Sequence, residues 1–171
     1  MEIFLRKIQE EDIEQYWEDG FKNPDKEMLY YTGTTSEITK EGIVSFVHKI
    51  INEEERCHFL IWNKESRLLG EISLMDIDDE NNSCIFRIAI FKSQYFGQGI
   101  GYKATKEAIR FAFEELKLHR VELEVFDYNN RAKSMYKKVG FREEGRRRDG
   151  IFIDGQYHDV IIMSMLEYEW N

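Results

Sequence analysis

Six residues near the middle of the chain, Phe96-Gly97-Gln98-Gly99-Ile100-Gly101, constrain the fold more than any other stretch. They lie between an apolar run, Ile85 to Phe91, and a segment in which Ile100, Ala104, Ala108 and Ala112 recur every four residues, with Ile109, Phe113 and Leu116 widening the stripe. That spacing predicts a helix with one face in a core. The glycine turn is therefore expected at a helix N-terminus, where the first backbone N–H groups lack intrahelical partners and the dipole favours negative charge. Glycines that bring the backbone close to a ligand there suit a phosphate or pyrophosphate, so a phosphorylated cofactor is the first expectation.

Two commoner phosphate motifs fit poorly. In a P-loop the second glycine is followed directly by Lys and then Ser or Thr. Here Tyr102 separates Gly101 from Lys103, and Ala104 stands in place of the hydroxyl residue. A dinucleotide fingerprint would need a glycine at Tyr102 and should lie early in a βαβ unit, not after half the chain.

With 171 residues, 42% of them hydrophobic, and the single proline Pro24, the chain is expected to be one domain with a real core. No Gly/Ser/Pro-rich linker or internal repeat interrupts the pattern. The start, Met1 to Arg6, lacks a basic segment followed by a long apolar run, and no window approaches a membrane span, so a soluble cytoplasmic protein is expected. Cys57 and Cys84 sit in apolar strand-like runs without His or Cys at metal spacing, which suggests buried thiols and no metal. A net charge of −9 argues against nucleic acid and is compatible with polyamines or basic protein segments, although it also serves plain solubility.

Along the chain, Ile3 and Leu5 suggest a first strand, and Ile13, Tyr16 and Trp17 a helical face. A loop is expected from about Asn23 to Ser36, then a helix marked by Ile43, Phe46, Val47 and Ile50. Cys57 to Trp62, Leu68 to Ile77 and Ser83 to Phe91 read as strands joined by hairpins. Beyond the long helix, Val121 to Phe126 alternates as a strand, and a crossover helix between two strands implies parallel pairing there. A short helix through Ala132, Met135, Tyr136 and Val139 ends at Gly140, and Phe141 to Ile153 with Tyr157 to Leu166 closes the chain as a hairpin around Asp154-Gly155. The expected architecture is a mixed, mostly antiparallel α/β sheet of six to seven strands flanked by about four helices.

The glycine turn together with the run from Asn129 to Phe141, Asn-Asn-Arg-Ala-Lys-Ser-Met-Tyr-Lys-Lys-Val-Gly-Phe, resembles the GCN5-related N-acetyltransferase (GNAT) superfamily. The resemblance is close from about Leu68 onward. The C-terminal run from Phe141 to Trp170 is similar to the branch containing ribosomal-protein N-terminal and spermidine acetyltransferases. The resemblance implies the acyl-CoA N-acyltransferase fold, with two splayed central strands, and acetyl-coenzyme A as acetyl donor. The pyrophosphate would rest on the amides of Phe96, Gly97, Gln98, Gly99, Ile100 and Gly101. Pantetheine would fill the gap beside Ala89, Ile90 and Phe91 as a pseudo-strand. The family pattern Gln/Arg-x-x-Gly-x-Gly/Ala places Gly99 and Gly101 on its small positions and Phe96 where Gln or Arg is usual, with Gln98 or Lys103 as neighbours that could compensate.

The implied reaction is direct attack of a neutral amine on a thioester. A primary amine with a pKa of roughly 10 is almost wholly protonated at neutral pH, so a base or water chain must take a proton, and the departing thiolate needs a donor. By resemblance Tyr136 is that donor, Asn129 helps hold pantetheine, and Glu124 matches the catalytic glutamate of some ribosomal-protein alanine acetyltransferases. By residue type alone, Tyr136 could be core with a satisfied hydroxyl, Asn129 a helix cap, and Glu124 one of two glutamates on a solvated sheet face. Arg146-Arg147-Arg148 could meet the coenzyme's 3′-phosphate or simply solvate a strand.

The resemblance implies that the acceptor, a peptide N-terminus, polyamine or other small amine, sits in a pocket of which the region Tyr16 to Phe46 forms one wall. Tyr30 and Tyr31 could form an aromatic slot, and Glu71 could line the cleft. The rival function is a non-catalytic acyl-coenzyme A-binding or sensing module of the same fold, for which Phe96 leaves room. Pairing of edge strands into a homodimer is also compatible with the fold.

Overall fold

In the computed structural model, which describes residues 1–170, seven strands form one sheet. They are β1 (Ile3–Lys7), β2 (Cys57–Asn63), β3 (Leu68–Asp78), β4 (Ser83–Ile90), β5 (Arg120–Phe126), β6 (Arg142–Ile153) and β7 (Gln156–Leu166), in the order β1-β2-β3-β4-β5-β7-β6. All neighbours run antiparallel except β4 and β5, which are parallel. The helix α4 (Ile100–Arg110), extended by a wider π-type turn at Phe111–Glu115, makes the crossover between that pair.

Alternation along the strands divides the core between the two faces of the sheet. Val121, Leu123 and Val125 of β5 pack with Ile100, Ala104, Ala108 and Ile109 of α4 on one side, while Glu122 and Glu124 project to the other. The second face carries α1 (Ile13–Tyr16), which continues through a π-type turn at Trp17–Phe21, and α3 (Lys40–Ile50), capped by Thr39. Here Tyr16, Ile43, Val47, Leu60, Trp62 and Phe91 form a smaller apolar cluster.

The segment expected as a loop from Asn23 to Ser36 contains a helix, α2 (Lys26–Thr32). Its cause is local. The Asp25 carboxylate accepts hydrogen bonds from the amides of Glu27 and Met28, and Gly33 ends the helix with φ of 67°, the left-handed conformation that suits glycine. With α5 (Asn130–Val139) this makes five α-helices among the described residues instead of about four. None of them is long and apolar enough to cross a membrane.

One feature of the pairing positions the site. β4 and β5 stay in register only from Ser83↔Arg120 to Ile85↔Glu122, whereas β5 remains paired with β7 as far as Phe126↔Val160. Beyond Ile85 the two parallel strands diverge, so the backbone groups of β4 that face β5 lose their ladder partners and a V-shaped gap opens toward the glycine turn.

Candidate active site

The gap is the floor of a cleft of about 640 Å³, lined by the second half of β4, the glycine turn, the end of β5, residues of α5 from Arg131 to Lys138, and Met28, Tyr31 and Thr32 of α2. This volume lies within the usual range for a small-molecule site.

The turn has the form needed to receive an anion. Gly97 and Gly99 have φ of 73° and 79°, and Gly99 precedes α4 without any side-chain cap on the helix amides. A Cβ on either glycine would meet no protein atom within 4 Å. The positive φ is what demands glycine, and the space in front of the first amides of α4 is open. Gln98 and Lys103 do not compensate for Phe96. Gln98 Nε2 donates to the Gln94 carbonyl at 2.6 Å and Lys103 Nζ to the Met1 carbonyl at 2.9 Å. Instead the guanidinium of Arg131, on the first turn of α5, lies 3.9 Å from the centre of the Phe96 ring and 4.7 Å from that of Tyr31. The aromatic residue at the head of the turn thus holds a cation in place of the usual polar side chain. Arg131 had a visible signal, since it lies inside the Asn129 to Phe141 motif, but only the fold reveals its partners.

Tyr136 is buried in its helix face yet lines the cleft, and no protein group hydrogen-bonds its hydroxyl among the described residues. A tyrosine serving only as core would have that hydroxyl satisfied. Burial holds the phenol well above its ordinary pKa, with the charge of Arg87 opposing the shift. Asn129 serves two purposes at once. Its Oδ1 caps α5 by accepting from the Ala132 amide at 3.1 Å, and the residue also borders the cleft. Glu124 projects from β5 into the cleft and is held at 2.6 Å by Arg147 of β6.

The cleft therefore brings together Ala89, Ile90, Phe96, Gly97, Gly99, Ile100, Gly101, Tyr31, Glu124, Asn129 and Tyr136. Four other candidates lie outside it. Phe91 is wholly buried against Tyr16 and Phe21, and its N–H donates to the Leu69 carbonyl at 2.9 Å, so it is not among the unpaired backbone groups. Gln98 does not line the cleft, and its side chain is engaged by the Gln94 carbonyl. Tyr30 packs on Tyr128 with ring centres 4.5 Å apart, and its carbonyl accepts the Tyr128 hydroxyl. Glu71 turns into the second face, where it accepts the hydroxyl of Tyr16 and lies 3.0 Å from His58 Nε2. Burial alone would raise its pKa, but these hydrogen bonds outweigh burial and hold the carboxyl below its ordinary value. Arg87 was missed in the sequence, although a charged residue within the apolar run Ile85 to Phe91 is itself a signal. Among the described residues no group of three or more His, Cys, Asp or Glu side chains could hold a metal ion.

Residues 2–142 match the family model described as an acetyltransferase (GNAT) domain. YdaF of Bacillus subtilis (strain 168), provisionally named a ribosomal N-acetyltransferase, is 36% identical over 107 residues, which span 63% of this chain and 58% of that protein. Spermidine N(1)-acetyltransferase of Escherichia coli (strain K12) is 26% identical over 168 residues, or 98% of this chain and 88% of the relative. The crystal structure of spermidine N-acetyltransferase from Vibrio cholerae in complex with CoA and spermine superposes with a TM-score of 0.88 at 24% identity, covering 98% of this chain and 96% of that one. At that identity the likeness shows the shared fold.

Proposed function

The chain belongs to the GNAT acetyltransferase family, and from that premise we propose that it transfers the acetyl group of acetyl-coenzyme A to a primary amine by direct attack. The amine nitrogen forms a bond to the thioester carbon, the carbon–sulfur bond breaks, and the sulfur leaves as a thiolate. Tyr136 donates a hydrogen bond to that sulfur, which takes up the proton that the nitrogen sheds as the amide forms, so the phenol keeps its own proton at the end of the step. Because its pKa is raised, the phenol stays a donor throughout the neutral range, and the negative charge that develops on sulfur meets a preplaced hydrogen bond. Glu124, directly or through water, receives the proton that the ammonium gives up before attack. The observation that carries this reading is the unpartnered Tyr136 hydroxyl in the cleft between the diverging strands.

The residues present suit the coenzyme. The uncapped amides at the start of α4, with Arg131 beside them, fit its phosphates, and the unpaired edge of β4 past Ile85 fits a diamide chain. Arg131 supports coenzyme binding despite the replacement at Phe96, and it is the unpartnered Tyr136 hydroxyl among the described residues that favours transfer over a binding or sensing module. The buried free thiols Cys57 and Cys84 are compatible with a cytoplasmic setting. A homodimer through the open β6 edge is part of the same proposal, and sedimentation in solution checks it.

The test is release of free thiol from acetyl-coenzyme A across polyamines, small amines and short peptides. Acceptor-dependent release is expected. Coenzyme binding with no release above background for any acceptor would favour the non-catalytic module.

A further inference from the structure

We propose that the acceptor amine carries a carboxylate a few bonds from its nitrogen, and that Arg87 is the residue that recognises it. The inference rests on the transferase reading and specifies its substrate class. Arg87 lies opposite Ser73 in the β3–β4 ladder, two residues from the Glu71↔Ala89 pair, so strand alternation puts it on the face that carries α1 and α2, away from α4. It is exposed and lines the cleft where β4 has left β5.

Several arginines toward the sheet's far edge have carboxylate partners, whereas Arg148 there has none among the described residues but lies outside the cleft. Arg120 holds Glu144 at 2.6 Å, Arg146 holds Asp159 at 3.0 Å and Arg147 holds Glu124 at 2.6 Å. Arg87 has neither an ion pair nor a side-chain hydrogen bond among the described residues, and it sits mid-strand beside the reacting groups; its charge reaches both Tyr136 and Glu71.

The charge balance of the cleft points the same way. Its lining includes Arg87, Arg131 and Lys138 but only one acidic residue, Glu124, whose carboxylate Arg147 already engages. Arg131 and Lys138 belong to the coenzyme end, over the rings of Phe96 and Tyr102. Glu71 is occupied by Tyr16 and His58. A polyamine would bring several ammonium groups to a cleft whose one acidic residue among the described residues, Glu124, is paired with Arg147 and assigned to the reacting nitrogen, which leaves no carboxylate for the distal ammonium groups. An amine with its own carboxylate would gain the two-pronged guanidinium contact. The same positive charge disfavours the ammonium form of the acceptor, which must be neutral to attack.

Paired acceptors that differ only in the carboxylate test this directly. Thiol release is measured with glycine against glycinamide and with the peptide amides Ala-Asp-NH2 against Ala-Asn-NH2, alongside spermidine, for the wild type, Arg87→Gln and Arg87→Lys. The two pairs separate a free amino acid from an acidic peptide as the source of the carboxylate. The wild type is expected to prefer the carboxylate member of at least one pair on the order of 10- to 100-fold in kcat/KM. That ratio should fall to about one in Arg87→Gln and recover in part in Arg87→Lys. A wild-type ratio near one in both pairs, a preference for spermidine, or a ratio unchanged by Arg87→Gln would overturn the proposal. If no acceptor is turned over, the transferase reading fails by itself. Calorimetric binding of the same pairs to the coenzyme A-loaded protein then decides the role of Arg87, and equal affinities within both pairs would overturn it.

Discussion

At the proposed phosphate site, the aromatic Phe96 brings a cation to the glycine turn through Arg131. The side chain at the head of the glycine turn contributes no charge of its own, but it offers a ring on which the Arg131 guanidinium rests at 3.9 Å. Replacing Arg131 by Met should therefore weaken coenzyme A binding by roughly 10-fold or more, on the scale of a charge-assisted hydrogen bond. It should leave pantetheine, which lacks the phosphates, nearly unaffected. Calorimetry with both ligands makes the comparison, and equal losses for the two would show that Arg131 acts through packing alone. None of this could be read from residue spacing. The glycines were legible because positive φ limits which residues can stand there, whereas the contact between positions 96 and 131 exists only once α5 has docked beside the turn.

At the level of elements, α2 is both the main difference from expectation and the wall that links the two halves of the cleft. Its cap residue Asp25 uses one carboxylate oxygen for the helix amides and the other for the amide and hydroxyl of Ser93, at 2.9 and 2.7 Å, just before the glycine turn. The signals were present, with Asp25 at the start and Gly33 at the end, but Tyr30, Tyr31 and Thr32 are indifferent helix formers and the helix is only seven residues long. Removing the carboxylate with Asp25→Ala should cost about 1–2 kcal/mol at pH 7, measured by urea unfolding. Burial opposes ionisation of Asp25, yet the hydrogen bonds from Ser93 and the helix amides prevail and hold its pKa below the ordinary value. A carboxyl with a lowered folded-state pKa stabilises fully above the unfolded value of about 3.9 and loses that contribution as pH falls through the folded value. The difference between wild type and Asp25→Ala should accordingly shrink below about pH 4. A difference that stays constant into acid would mean that the carboxylate charge is not what holds α2.

For the molecule as a whole, hairpin turns and one crossover helix made most of the sheet legible in advance, because each is a local feature that dictates how its flanking strands pair. Divergence of β4 from β5 was not local. It depends on β5 following β7 past Glu122, and only the resemblance to a family suggested it. Total charge is likewise not a local property of the cleft. A chain of net charge −9 suggests a cationic partner, but its one cleft-lining acid is paired and its cleft-lining bases include Arg87, which has no protein partner among the described residues. Glu71, Tyr30 and Phe91 were plausible site residues by position along the chain, and hydrogen bonds from Tyr16 and His58, in the case of Glu71, and ring packing, in the case of Tyr30 and Phe91, hold them elsewhere. What remains in the gap is a short list headed by Tyr136. The most direct measurement is the rate of acetyl transfer by Tyr136→Phe at saturating acetyl-coenzyme A and acceptor, with the coenzyme dissociation constant determined in parallel. Loss of the donor should lower kcat by about 10²- to 10⁴-fold while leaving coenzyme affinity almost unchanged. An unchanged kcat would contradict the assignment of Tyr136 as the group that meets the leaving sulfur.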